Sequence, residues 1–143
     1  MWEPPTSGGI LIQEEYWPDE WKILTCCLLL NLTSIKQVRP MIHNFFEKYP
    51  TPSSIINAEV EELQQLLKPL GFWRKRTKTL KRFSEEFVGS DWKMPKDLFG
   101  CGKYANDCWK ILCAGQWRET SPGDHALNEY QDFLNDYFGD KNA

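Results

Sequence analysis

The chain has 143 residues and a mass of 16.8 kDa, is 41% hydrophobic and 14% aromatic, and contains seven Trp. That is enough to bury a core as one domain and too apolar for a disordered tail or a fibrous repeat. Seventeen Lys and Arg against twenty Asp and Glu give a net charge of -3, which excludes a protein coated in positive charge for bulk nucleic-acid packaging yet leaves room for one basic patch.

The longest apolar stretch, Cys26 to Leu30, falls far short of the ~20 residues a membrane span needs. The opening residues Met1 to Gly9 have neither the basic start nor the apolar stretch of a signal peptide. No membrane association is expected. Five cysteines, at positions 26, 27, 101, 108 and 113, are an odd number and fit reduced, buried thiols better than a disulfide framework. His43 and His125 are the only histidines and no Cys-x-x-Cys occurs, so no metal site and no cofactor is expected.

In chain order the periodicity is helical nearly throughout. Residues 1–18 read as an extended N-terminal segment packing on the rest, with a brief strand-like alternation at Ile10, Leu11 and Ile12. Asp19 is placed to cap a helix from Glu20 to about Asn31 that is apolar on most of its surface, the mark of a central buried helix. Ser34 opens a second helix, in which Pro40 is expected to make a kink or a break, ending at Tyr49-Pro50. A short turn at Ser53 or Ser54 follows. Next comes a helix capped by Asn57 and carrying Val60, Leu63, Leu66 and Leu67, stopped by Pro69 and Gly71. The spacing then predicts a helix over Phe72 to Val88, a short one at Lys93 to Leu98, and another from Lys103 to about Cys113. An amphipathic last helix opens at Asp124. The fold class is all-α, one domain over residues 1–143.

Two features carry chemistry. From Lys68 to Arg82 the sequence holds seven of the seventeen basic residues, Arg74, Lys75 and Arg76 among them, and no acid. Such a run is either a solvated helix face or a set of phosphate contacts that release counterions, and the run alone does not choose. The second feature is Leu98-Phe99-Gly100-Cys101-Gly102-Lys103-Tyr104-Ala105, a short helix passing through two glycines into another helix. Gly100 and Gly102 permit a tight turn and close approach by another molecule, and the following helix start presents free N–H groups to an anion. Contacts of this kind grip the backbone and read no sequence. An ordinary tight connection between helices is the alternative.

Here the chain resembles a known family. Leu98 to Ala105 looks like the helix-hairpin-helix of the endonuclease III superfamily of DNA base-excision glycosylases, in which a catalytic Asp follows the hairpin. Asp124 stands 22 positions after Gly102. The segments Ser121-Pro122-Gly123-Asp124-His125, Leu66-Leu67-Lys68-Pro69-Leu70-Gly71, Leu30-Asn31-Leu32-Thr33-Ser34, Gln13-Glu14 and Trp2-Glu3-Pro4-Pro5 are similar, in order, to the mismatch-specific thymine/uracil glycosylases of that superfamily that also carry a methyl-CpG-binding domain. That domain is absent from this sequence, so an excised catalytic domain or a shorter protein is expected.

The resemblance implies the helix-hairpin-helix glycosylase fold without an iron-sulfur cluster. It further implies a monofunctional enzyme, monomeric and nuclear, that flips thymine or uracil mispaired with guanine out of double-stranded DNA and hydrolyses its N-glycosidic bond. Asp124 is then the catalytic carboxylate, a role compatible with capping the last helix. Tyr104 lines the base pocket where lyase relatives carry a Schiff-base lysine, and a phenol forms no imine. Gln13 faces the pyrimidine edge. Phe72 is the wedge that fills the vacated stack, where leucine is usual, and Leu32 stands where relatives present Arg or Gln to the orphan strand. Gly100, Gly102, Lys103, Arg74, Lys75 and Arg76 are the expected contacts to the DNA backbone. A non-catalytic helix-hairpin-helix DNA-binding module is the competing expectation; it needs the hairpin but not Asp124.

Overall fold

The computed structural model describes residues 1–139, and every regular element among them is helical. Residues 140–143 of the expected single domain lie outside the described residues.

The axis of the fold is α1 (Glu20–Leu30). Asp19 starts it as read from sequence, its carboxylate accepting from the Lys22 N–H at 3.0 Å. Trp21, Ile23, Leu24, Cys26, Cys27, Leu28 and Leu29 are all buried, because neighbours surround this helix: α2 (Ile35–Lys48), α5 (Trp73–Gly89), α6 (Lys103–Leu112) and an N-terminal 3₁₀ turn, Ile12–Tyr16. Each fully buried Leu or Ile here stabilises the fold by roughly 1.5–3 kcal/mol over an exposed one. The Trp21 indole finds its one partner in the Ser84 hydroxyl of α5 at 3.0 Å.

Pro40 neither divides nor ends α2, which runs through it for 14 residues. Both Pro40 and Lys36, whose carbonyl loses its helical donor, lie on the exposed side, where that oxygen is open to solvent. The stripe Val38, Ile42, Phe45 and Phe46 stays buried on both sides of the proline. The next boundary also differs from expectation. A five-residue helix, α3 (Pro52–Ile56), is capped by Thr51, whose hydroxyl accepts from the Ser54 N–H at 3.2 Å. Asn57 closes α3, and Glu59 holds the cap position of α4 (Val60–Leu67). Lys81 explains the early stop: its Nζ donates to the carbonyls of Ile55, Ile56 and Ala58 at 2.9, 3.2 and 2.7 Å, tying the end of α3 to α5.

The short helix expected at Lys93 to Leu98 is one 3₁₀ turn, Pro95–Asp97. The last helix is α7 (His125–Phe138), with Asp124 at its cap.

The N-terminal segment forms no strand. Trp2 donates from Nε1 to the Leu112 carbonyl of α6 at 3.0 Å, and the Tyr130 hydroxyl of α7 donates to the Pro5 carbonyl at 2.6 Å. The Glu14 carboxylate accepts from the Ser7 N–H and hydroxyl, both at 2.6 Å, and from the Leu11 N–H at 2.9 Å. One carboxylate thus folds the strap back on itself and delivers residue 13 into the protein.

Candidate nucleic-acid interface and active site

The hairpin is built on unequal glycines. Gly100 has φ +86, and a Cβ there would stand 2.8 Å from Thr79 Cγ2 and 3.2 Å from Leu28 Cδ2, so both conformation and space require glycine. Gly102 has φ -106 and ψ -155, outside the left-handed region that favours glycine. A Cβ on Gly102 would meet nothing within 4 Å, so nothing inside the protein demands glycine there. What bareness at Gly102 provides is access to the start of α6, which no side chain caps. Its first N–H groups are therefore open to an anion.

Lys103 does not stand free beside them. Its ammonium contacts the Asp107 carboxylate and donates to the Ser121 carbonyl at 2.8 Å, joining the hairpin to the loop that leads to Asp124. That loop is fixed from the other side as well. Asn128 Nδ2 donates to the carbonyls of Pro122 and Asp124 at 2.9 and 3.0 Å, and Gln131 Nε2 donates to those of Trp117 and Thr120 at 2.6 Å each. Half-buried Asp124 accepts from the Leu127 N–H at 3.0 Å through Oδ2. Its other carboxylate oxygen is uninvolved in that cap, and among the described residues no cation pairs with Asp124.

Tyr104 and Gln13 come together although 91 residues separate them: Gln13 Nε2 donates to the Tyr104 hydroxyl at 2.8 Å and to Cys27 Sγ at 3.4 Å. Burial, the neighbouring thiols of Cys27 and Cys108, and the negative charge of Asp124 push the Tyr104 phenol far above its ordinary value, against the pull of the Gln13 hydrogen bond. Tyr104 is a neutral hydroxyl at any physiological pH. Gln13 is 1% exposed, and its Oε1 has no hydrogen-bond partner. A buried acceptor left open costs about 1–3 kcal/mol, so it is a feature to be explained. Amide, phenol and carboxylate thus form one electrostatically connected group, suited to holding a polar planar ring and stabilising positive charge beside it. Cys27, which helps hold the amide, was not singled out by sequence reasoning; its position on the core helix gave no signal beyond an apolar one.

The residues expected to meet the interior of the DNA stack gather elsewhere, beside Gly100. Leu32 and Phe72 are 76% and 61% exposed and both have positive φ, 65 and 50. Left-handed backbone at bulky residues costs of order 1–3 kcal/mol each and clusters at functional sites. Phe72 precedes α5, whose first residue is Trp73, instead of opening it as the periodicity predicts. Leu32, Phe72, Asn31, Lys75, Phe99 and Gly100 line a cleft of about 290 Å³, with Leu28, Leu29, Arg76, Thr79 and Leu80. Gln13, Tyr104 and Asp124 are not among its walls.

The basic run divides. Arg74 and Lys75 are exposed, as are Lys68 and Lys78, and Lys68 and Arg74 lie near the Trp73 ring at 5.7 and 5.3 Å. Lys81 is bound to α3, and Arg82 pairs with Glu86 at 3.1 Å while lying 4.0 Å over the Phe99 ring. Arg76 is 8% exposed and surrounded by carbonyl oxygens, so the expected backbone contact there is replaced by an internal one. Burial also pulls its guanidinium below the usual value.

The five thiols are buried or half-buried and free, as their apolar surroundings predict. Among the described residues no group of three or more His, Cys, Asp or Glu side chains is arranged to hold a metal ion.

A bare helix start beside a glycine corner, a helix-capping carboxylate and an all-helical scaffold coincide with the comparisons. The chain belongs to the HhH-GPD superfamily of base excision DNA repair proteins, whose pattern matches residues 26–135. It is 41% identical over 133 residues to the methyl-CpG-binding domain protein 4-like protein of Arabidopsis thaliana, covering 93% of this chain and 30% of that protein. It is 37% identical over 94 residues to the thymine/uracil-DNA glycosylase of Pyrobaculum aerophilum, covering 61% of this chain and 41% of that one. A solved structure of a thermostable thymine-DNA glycosylase superposes with a TM-score of 0.62 at 27% identity, covering 68% of this chain and 48% of that one. The chain thus spans less than half the length of these relatives.

Proposed function

We propose that the protein is a monofunctional DNA glycosylase that removes thymine or uracil mispaired with guanine from duplex DNA, working as a monomer on nuclear DNA. The observation that carries this reading is the hydrogen bond that brings buried Gln13 to Tyr104 across the chain, with the Asp124 charge acting on the same phenol, in a member of a base excision repair family.

The chemistry follows from the groups present. A stacked base hides the sugar carbon that must be attacked, so the nucleotide is extruded, and a mispaired base costs less to extrude than a paired one. The free Gln13 Oε1 accepts the ring N–H that thymine and uracil carry and cytosine lacks. As the N-glycosidic bond breaks, its electron pair leaves with the base and positive charge grows on the sugar. The Asp124 carboxylate stabilises that charge and takes a proton from the attacking water. Tyr104, neutral and unable to form an imine, packs and orients the base, so the product is an intact abasic site. Gly100 shapes the corner, while the N–H groups beyond Gly102 together with Arg74 and Lys75 hold the phosphates. Phe72 and Leu32 enter the stack as the base leaves. With apolar Leu32 in place of a polar side chain, the orphan guanine is met chiefly by apolar surface.

The test uses labelled duplexes carrying one T:G, U:G or T:A pair, incubated with the protein and then treated with alkali. Alkali-dependent breaks at T:G and U:G that vanish with Asp124→Asn support the reading. Tight binding without breaks leaves a DNA-binding module, and breaks before alkali overturn the role given to Tyr104.

A further inference from the structure

Phe72 and Leu32 share an unusual circumstance: each is a bulky, exposed side chain on left-handed backbone, at the tip of a different loop. Something must hold two such loops in strained conformations while their side chains stay largely exposed, the Phe72 ring having the Arg76 guanidinium 6.0 Å from its centre. One group touches both. Arg76 donates from Nε to the carbonyl of Gly71, the residue before Phe72, at 2.8 Å. From Nη2 it donates to the carbonyl of Asn31, the residue before Leu32, at 3.1 Å. Nη1 reaches the Leu29 carbonyl at 3.3 Å, at the end of α1, where the helix dipole favours a cation. The donors of a guanidinium lie in one rigid plane, so the peptide groups they hold are fixed relative to each other. A lysine ammonium cannot reproduce that fork.

We infer that Arg76 is a positioning residue for DNA opening: its guanidinium clamps the two loops so that Phe72 and Leu32 stand ready, at a fixed spacing across the cleft, to enter the base stack. It acts through them and touches neither DNA nor the reacting atoms. This rests on the wedge role proposed above, but it concerns a residue to which the chemistry of the bond cleavage assigns no part. The advantage is preorganisation: loops already held in the inserted geometry lose less freedom when DNA binds.

The experiment is a double-mutant cycle. Arg76→Lys is made in the wild-type chain and in a Leu32→Ala, Phe72→Ala background, which removes two exposed side chains and leaves the core alone. Excision is timed on U:G duplex and on uracil in single-stranded DNA, where there is no stack to open. 2-Aminopurine fluorescence beside the lesion reports unstacking. The inference expects Arg76→Lys to slow duplex excision about tenfold or more, to reduce the fluorescence change in step, and to leave single-strand excision within about twofold. In the wedge-less background the same substitution adds nothing.

Equal losses on duplex and single strand, or an undiminished effect without the wedges, overturn the inference and leave Arg76 as a part of the fold only. If Leu32→Ala, Phe72→Ala itself leaves duplex excision unchanged, the wedge role fails first, a distinguishable outcome. Arg76→Gln, which keeps planar N–H donors without charge, is the substitute should the lysine variant not fold. Failure of both to fold also overturns a role separable from folding.

Discussion

On the function proposed, Asp124 has two jobs that substitution can separate. Its Oδ2 caps α7, and Asn caps a helix about as well as Asp. Asp124→Asn is therefore expected to leave the urea midpoint nearly unchanged while abolishing excision. Asp124→Ala loses the cap too and is expected to cost about 1 kcal/mol of stability. Activity surviving in the Asn variant would remove the carboxylate from the chemistry. Gln13 poses the complementary question of how a buried amide with an open acceptor is tolerated. A carboxyl group in place of that amide either takes up a proton to occupy the same hydrogen bonds or, once ionised, repels Asp124. Gln13→Glu is therefore expected to slow excision more at higher pH, read from a pH profile. Cys27→Ala removes one of the two acceptors holding Nε2 and is expected to weaken excision less than Gln13→Ala does.

At the scale of elements, the glycines of the hairpin give opposite expectations from one substitution. Gly100→Ala forces a Cβ against Thr79 and Leu28 on positive φ, and is expected to lower stability by about 1–3 kcal/mol. Gly102→Ala meets no protein atom and is expected to leave thermal unfolding nearly alone while weakening DNA binding, measured by fluorescence anisotropy. Equal stability losses at both would show that the bareness of Gly102 serves the fold. The elements also show what a sequence can disclose. Asp19, Ser34 and Asp124 are legible as helix starts because a cap is local chemistry, settled within four residues. The Phe72 boundary is not, since periodicity runs through it while Arg76 ties the Gly71 carbonyl just before α5 to that of Asn31, 45 residues from the arginine. Pro40 misleads for the converse reason: its local penalty is real, but a buried stripe on each side and water on the exposed face override it. Asp124, Tyr104 and the glycine corner stand out through resemblance. That Gln13 is buried against Tyr104, and that Arg76 and Lys103 bind within the protein, depends on tertiary packing invisible to spacing.

For the molecule as a whole, seven cations in the basic run do not make seven phosphate contacts. Arg76, Lys81 and Arg82 are engaged within the protein, leaving Lys68, Arg74, Lys75 and Lys78 on that face. Each phosphate neutralised contributes about -0.9 to the slope of log K against log salt, so this face is expected to supply about -3 to -4. Lys75→Gln should reduce the slope by about one; Lys81→Gln should leave it unchanged while destabilising α3.

The buried thiols set an alkaline limit. Burial raises Cys101 and Cys113 from 9.0 to about 12 and Cys26 well above 9.0, and the contact with Cys27 together with burial raises Cys108 well above 9.0. A group whose pKa is raised on folding holds its proton longer in the native state. The unfolded chain then binds fewer protons above pH 9, and stability falls as pH rises from there toward 12. Urea midpoints that stay level across that range would contradict the burial of these thiols.

The strap that carries Gln13 arrives from outside the stretch, residues 26–135, that the superfamily pattern recognises. It is held by Trp2 on α6 and Tyr130 on α7. On the function proposed here, the group that chooses a base lies outside that stretch and the group that severs it lies inside. A chimera that sets the strap of one relative on the body of another is expected to take its base preference from the transplanted strap, read as the ratio of excision rates at T:G and U:G.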